Sequence, residues 1–141
     1  MDQILQFANN HLGLFAALGA ISALLAWTAL QGRLQGVKSL SPAEATLLIN
    51  HQDAVLIDVR DPHELKEGTI LNSIHIPIGQ FKDSLGKLEK YRDRPVIIAC
   101  RSGSRSHSAC ATLARAGFSQ VHNLQGGVLA WQNASLPLVR K

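Results

Sequence analysis

Acidic and basic side chains are missing from residues 3 to 32. Cysteine is scarce throughout, with two in 141 residues, which excludes a disulfide framework. The two cysteines and six histidines form no Cys-x-x-Cys or His-x-x-x-His pair, so the residues give no structural zinc site. Aromatic residues are few: two Trp, one Tyr and four Phe. The basic residues form no dense patch interleaved with them, which argues against a nucleic-acid interface despite a pI near 9.4. A net charge of +4 is too small, and a hydrophobic content of 46 % too large, for a disordered chain. The length leaves no room for two full-sized domains. It fits one small domain plus an attachment.

The attachment is the uncharged front. His11 to Leu30 is a long apolar run, and as a helix its twenty residues match the thickness of a bilayer's hydrocarbon core, about 30 Å. A core of this size could not surround a helix that is apolar on every face. A cleaved signal peptide fits poorly. The start carries Asp2 and no Lys or Arg, and the alanines of the run are never spaced two apart. Trp27 stands near one end, where indole favours the membrane interface. Basic residues follow the span, at Arg33 and Lys38, and none precede it. That bias predicts an N-terminus outside and the rest of the chain in the cytoplasm. The expected layout is a short tail over 1–10, a transmembrane helix over 11–30, a polar linker over 31–40 and a folded domain over 41–141.

The domain alternates strand and helix. Ser41-Pro42-Ala43-Glu44 is a helix start, with a cap, a first-turn proline and a capping-box glutamate. Ala54–Val59, Ser73–Ile76, Pro95–Ala99 and Val121–Leu124 are the expected strands. Between them lie a brief helix ending at Gly68, weak helical pieces over 79–90, and a helix over 104–116 ended by Gly117. Gly126-Gly127 precede a last short helix around Trp131. This pattern predicts an α/β fold with a central parallel sheet covered by helices on both faces.

The chemistry is expected after the strand Pro95–Ala99. Cys100-Arg101-Ser102-Gly103-Ser104-Arg105 leaves that strand and enters a helix. Ligands of parallel sheets bind beyond the carboxyl ends of the strands. N–H groups of a small-residue loop at a helix N-terminus form an anion cradle. That field, with Arg101 and Arg105 nearby, should favour the Cys100 thiolate. Gly103 lets the loop curl, and Ser102 and Ser104 offer hydroxyl donors. A nucleophile inside an anion cradle suits attack on an anionic substrate.

Cys-Arg-Ser-Gly-Ser-Arg after Val-Ile-Ile-Ala resembles the active-site loop of rhodanese-like sulfurtransferases. The resemblance covers about residues 38–138. Leu56-Ile-Asp58-Val-Arg60-Asp-Pro-His-Glu64 is similar to that family's first signature, and Asn123–Trp131 with Leu136-Pro137 to its last. Gly68-Thr69-Ile70, Asn72-Ser73 and Ser135 depart from frequent family residues, all in scaffold motifs. An anchor followed by one such domain also resembles a group of small bacterial membrane proteins, which implies an inner-membrane location.

The resemblance implies a two-step covalent transfer. Cys100 takes the outer sulfur of thiosulfate or another sulfane donor, becomes a persulfide and passes the sulfur to a thiol or cyanide. Arg101 and Arg105 would attract the donor, and Asp58 and Arg60 would support the scaffold. No cofactor or metal is implied. The expected partners are small sulfur-containing anions, thiol acceptors, the membrane and a membrane protein. Cysteine phosphatases and arsenate reductases use a loop one residue longer than the four residues separating Cys100 from Arg105, so they rank below. A membrane-tethered interaction module with incidental turnover is the other alternative. Cys110, His75, His122 and Trp131 are expected to be structural, and His107 to lie on the surface of its helix.

Overall fold

The computed structural model describes residues 1–34 and 37–140 and separates into two compact units, Met1–Leu34 and Gln35–Lys141. The first unit is helical. Helix α1 spans Asp2–Asn10 and α2 spans Leu12–Leu34. The expected tail over 1–10 is therefore helix, because the backbone hydrogen bonds run on through the junction. His11 N–H bonds the Phe7 carbonyl at 3.1 Å, and Phe15 N–H bonds the His11 carbonyl at 3.2 Å. Leu12–Leu30 has a mean hydropathy of 1.9 and no part of it is buried within the protein. By length and composition it is able to cross a membrane.

The expected linker over 31–40 is shorter than its composition suggested. Its first four residues continue α2, and Gln35 and Gly36 lie outside the described residues. Lys38–Leu40 is strand β1, paired in parallel with β5 (Val121–Leu124). This strand escapes a sequence reading because it is three residues long and mostly exposed, so it shows no apolar run.

Ser41 then caps α3 (Pro42–Gln52) through a complete capping box with Glu44, its backbone N–H donating to Glu44 Oε2 at 2.8 Å. Strands β2 (Val55–Asp58), β3 (Ile74–His75) and β4 (Val96–Ala99) complete the sheet, in the order β1-β5-β4-β2-β3, all parallel. A 3-10 turn over Pro62–Glu67 follows β2. Tight 3-10 turns surround the single helical turn α4 (Leu85–Leu88), where weak helix was expected. Helices α5 (Ser104–Arg115) and α6 (Gly127–Asn133) follow β4 and β5.

Alternation along β2 and β4 builds two cores. Val55, Ile57, Val96, Ile98 and Cys100 face α5, packing with Phe81, Leu88, Ala109 and Leu113. Leu56, Ile97 and Ala99 face the other way, against Ala45 of α3 and Val128 and Trp131 of α6. Both strands are buried along their whole length, which is why they read as continuous apolar runs. Cys100 is one step beyond β4 on the α5 face. Its place in that alternation aims the thiol toward the first turn of α5.

Candidate active site

The chain turns sharply after Ala99 so that α5 starts four residues past Cys100. Gly103 makes the turn at φ +102°, a conformation that L side chains rarely adopt. Its N–H donates to Cys100 Sγ at 3.0 Å. Cys100 has no exposed surface, so the sulfur sits at the floor of the loop. The N-terminus of α5 adds its field at the same point.

The hydroxyl nearest the sulfur belongs to Ser106, not to Ser102 or Ser104, whose residues are exposed. Ser106 Oγ lies 3.4 Å from Cys100 Sγ, 3.1 Å from the Gly103 carbonyl and 2.5 Å from Asn123 Oδ1. Its single proton thus has three acceptors within reach. Asn123, on β5, also donates through Nδ2 to the Gly103 carbonyl at 3.1 Å. Ser106 is not among the candidate residues of the sequence, and Asn123 enters there only as the first residue of the family's last signature. Ser106 was detectable in principle, since side chains of a helix's first turn lean back toward its N-terminus. Asn123 depends on β5 lying beside β4, which no local pattern reveals.

Burial pushes the Cys100 thiol up. The Ser106 hydroxyl and the N–H groups of Ser106, Gly103 and Ser102 outweigh it, and the thiol titrates below its ordinary value. Both loop arginines are ion-paired. Arg105 is held by Glu64 in a two-pronged ion pair, with both N···O distances 2.8 Å, and stands 3.5 Å from Asp61. Arg101 is half exposed and 3.5 Å from Glu67. The Arg105 guanidinium holds the Glu64 carboxyl down to about 2, against the smaller opposing effect of burial. Glu64 in turn raises Arg105.

Asp58 and Arg60 form a second, buried ion pair at 2.8 Å. Arg60 also reaches the Gly68 carbonyl at 2.9 Å, tying the end of β2 to the segment that follows the 3-10 turn. Among the described residues, the hydrogen bonds of the pair all go to each other and to backbone. Asp61, His63 and Glu64 place ligand-type atoms within 4.8 Å of one another. Glu64 spends both oxygens on Arg105, which leaves Asp61 and His63 as the cluster's other two members.

The loop is clamped from behind by α6. Val128 N–H donates to the Cys100 carbonyl at 2.8 Å and Leu129 N–H to the Arg101 carbonyl at 3.1 Å. Gly127 makes this approach possible, since a Cβ there would run into both carbonyl oxygens. Fixing the carbonyls outward leaves the loop's N–H groups to the sulfur.

The remaining residues are accounted for by packing. Cys110 is buried in α5, and burial together with the charge of Cys100 pushes its thiol up to about 12. It donates to the His122 carbonyl at 3.4 Å. His75 Nε2 bonds the Arg60 carbonyl at 2.8 Å, and His107 is exposed on α5. Trp131 is 6 % exposed and donates from its indole to the Pro137 carbonyl at 3.1 Å.

Residues 41–134 match the family model of the rhodanese-like domain. The chain is 37 % identical to the uncharacterized protein YibN of Escherichia coli over 99 % of both sequences. It is 39 % identical to a sulfurtransferase of Allochromatium vinosum, covering 65 % of this chain and 84 % of that one. Among solved structures, a rhodanese-related protein of Thermoplasma volcanium superposes with a TM-score of 0.65 at 34 % identity, covering 74 % of this chain and all but 1 % of its own. A thiolate-favouring cysteine at the end of a parallel strand, in a loop clamped by the last helix, is thus found where these matches fall, and the chain belongs to the rhodanese-like sulfurtransferase family.

Proposed function

We propose that this protein is a membrane-anchored sulfurtransferase working through a persulfide on Cys100. One observation carries the reading: Cys100, whose thiol is shifted toward the thiolate, lies among N–H donors beyond the end of β4. In the first half-reaction the Cys100 thiolate attacks the outer sulfur of thiosulfate, a persulfide or a polysulfide. The donor's S–S bond breaks, and sulfite or a thiolate departs with the bonding pair. In the second, a thiol or cyanide attacks the outer sulfur of the Cys100 persulfide and regenerates the thiolate. The N–H groups of Ser102, Gly103 and Ser106 hold charge on the transferred sulfur without a metal or cofactor.

The apolar helix Leu12–Leu30 supports anchoring, and Arg33 and Lys38 after it support an N-terminus outside with the domain in the cytoplasm, in a bacterial inner membrane. The test is intact mass of the full-length protein after incubation with a sulfane donor. One added sulfur atom is expected on the wild type and on Cys110→Ser, and none on Cys100→Ser. Transfer of sulfur to cyanide should follow the same pattern. Sulfur transfer by the Cys100→Ser variant would overturn the proposal.

A further inference from the structure

The Ser106 hydroxyl has one proton to give, and of its three neighbours the Gly103 carbonyl is already occupied. That oxygen accepts the His107 N–H at 3.2 Å and Asn123 Nδ2 at 3.1 Å. A carbonyl oxygen has two lone pairs, so both are used. The Ser106 proton therefore points either to Cys100 Sγ, 3.4 Å away, or to Asn123 Oδ1, 2.5 Å away. The Gly103 carbonyl also fixes the Asn123 amide. Turned round, it would set Oδ1 against that carbonyl, acceptor against acceptor. Ser106 has no exposed surface and Asn123 is 6 % exposed, so bulk water offers the proton no other acceptor.

Which acceptor prevails depends on the charge of the sulfur. A thiolate draws the hydroxyl, since hydrogen bonds to ionised groups are about twice as strong as neutral ones. When the Cys100 thiolate attacks the outer sulfur of thiosulfate, a new S–S bond forms as the old one breaks, and sulfite leaves with the bonding pair. The negative charge then rests on the outer sulfur, and Sγ, bonded to carbon and sulfur, is a weak acceptor. We propose that Asn123 is a positioning residue of the transfer: its Oδ1 accepts the Ser106 hydroxyl while Cys100 carries sulfur and releases it to the thiolate when the sulfur has left. The proposal rests on the Cys100 persulfide reading and adds to it a device that balances the loaded and empty states. Without Asn123 the buried hydroxyl has no good acceptor once Sγ is neutral. The thiol and the persulfide both then lose ground to the thiolate.

The test is a cycle of Asn123→Ala, Ser106→Ala and the double variant, in full-length protein carrying Cys110→Ser. Arg105 also senses the charge of Cys100 and is the same throughout the cycle. The first readout is the rate of Cys100 alkylation by iodoacetamide across a pH series. Asn123→Ala should move the curve to lower pH and raise the rate about fivefold on its rising limb, the worth of one neutral hydrogen bond. In the Ser106→Ala background the same substitution should leave the curve in place. A residue that only propped the loop through the Gly103 carbonyl would shift both backgrounds alike. The second readout is persulfide occupancy by intact mass, at a fixed ratio of thiosulfate to sulfite and a pH where the empty protein is thiolate. Asn123→Ala should lower the ratio of loaded to empty Cys100 about fivefold. Asn123→Ser, whose hydroxyl ends one bond short of Oδ1, carries the same cycle should Asn123→Ala fold poorly. A curve that stays in place, moves to higher pH or moves equally in the Ser106→Ala background, or an unmoved occupancy, would overturn the role of Asn123 and leave the persulfide reading standing. A wild type that takes up no sulfur would overturn both.

Discussion

Replacing Ser106 with alanine isolates the one side-chain donor that the structure places on the Cys100 sulfur among the described residues. The hydroxyl lies 3.4 Å from Sγ and is itself buried. A hydrogen bond to an ionised group contributes about 1.5–3 kcal/mol. Here the lower end applies, because the proton is also within reach of Asn123 Oδ1 and the Gly103 carbonyl. Losing about 1.5 kcal/mol of thiolate stabilisation lowers the thiolate population about tenfold at a fixed pH on the rising limb. The assay is the rate of Cys100 alkylation by iodoacetamide across a pH series, in a Cys110→Ser background. The Ser106→Ala curve should move to higher pH, and its rate near pH 7 should fall about tenfold. Ser104→Ala, at an exposed residue of the same turn, should leave the curve in place. If Ser106→Ala and Ser104→Ala behave alike, the thiolate owes nothing to the Ser106 hydroxyl and the backbone N–H groups alone account for it.

Gly127→Ala would force a methyl into the carbonyls of Cys100 and Arg101. It should abolish sulfur transfer while the sheet still melts cooperatively, measured by cyanide-coupled turnover and circular dichroism on one preparation. The Glu64 carboxyl titrates near 2 in the fold against about 4.3 unfolded, so the unfolded chain binds its proton first as pH falls. Its stabilisation is complete above about pH 5 and lost toward pH 2, and denaturant midpoints of Glu64→Gln should therefore show a flatter acid limb than the wild type. For topology, a membrane-impermeant thiol reagent should leave Cys100 unlabelled in intact cells and label it after lysis. Moving basic residues to Gln3 and Gln6 and neutralising Arg33 and Lys38 should weaken that protection; labelling in intact cells would refute the orientation.

What was legible in the residues was what they encode locally. Val96–Ala99 is apolar on both faces of the sheet, and its loop and helix follow without a break, so the strand, the turn at Gly103 and Cys100 could be read in order. Ser41-Pro42-Ala43-Glu44 announced α3 because a capping box is a four-residue device. By contrast β1 has three residues with two exposed, and β3 has two residues, so neither is long enough to show a period. Asn123 behind the Ser106 hydroxyl and Glu64 on Arg105 meet their partners only through the sheet order β5-β4-β2, which is a property of the whole fold. Charge was the most misleading signal. Arg105 counts as a cation in the sequence and as half of a salt bridge in the structure.

The clamp on the loop comes from the far end of the chain, and that has a consequence for the order of assembly. Val128 and Leu129 hold the Cys100 and Arg101 carbonyls, and Asn123 holds the Gly103 carbonyl, so the loop is closed by residues twenty or more positions downstream. The same late strand, β5, is what pairs the early strand β1. A chain emerging from the ribosome with residues up to about 120 exposed carries the groups that touch the sulfur but lacks the clamp on the loop's carbonyls. The closed form of the loop therefore needs the last twenty or so residues of the chain to be made and folded back.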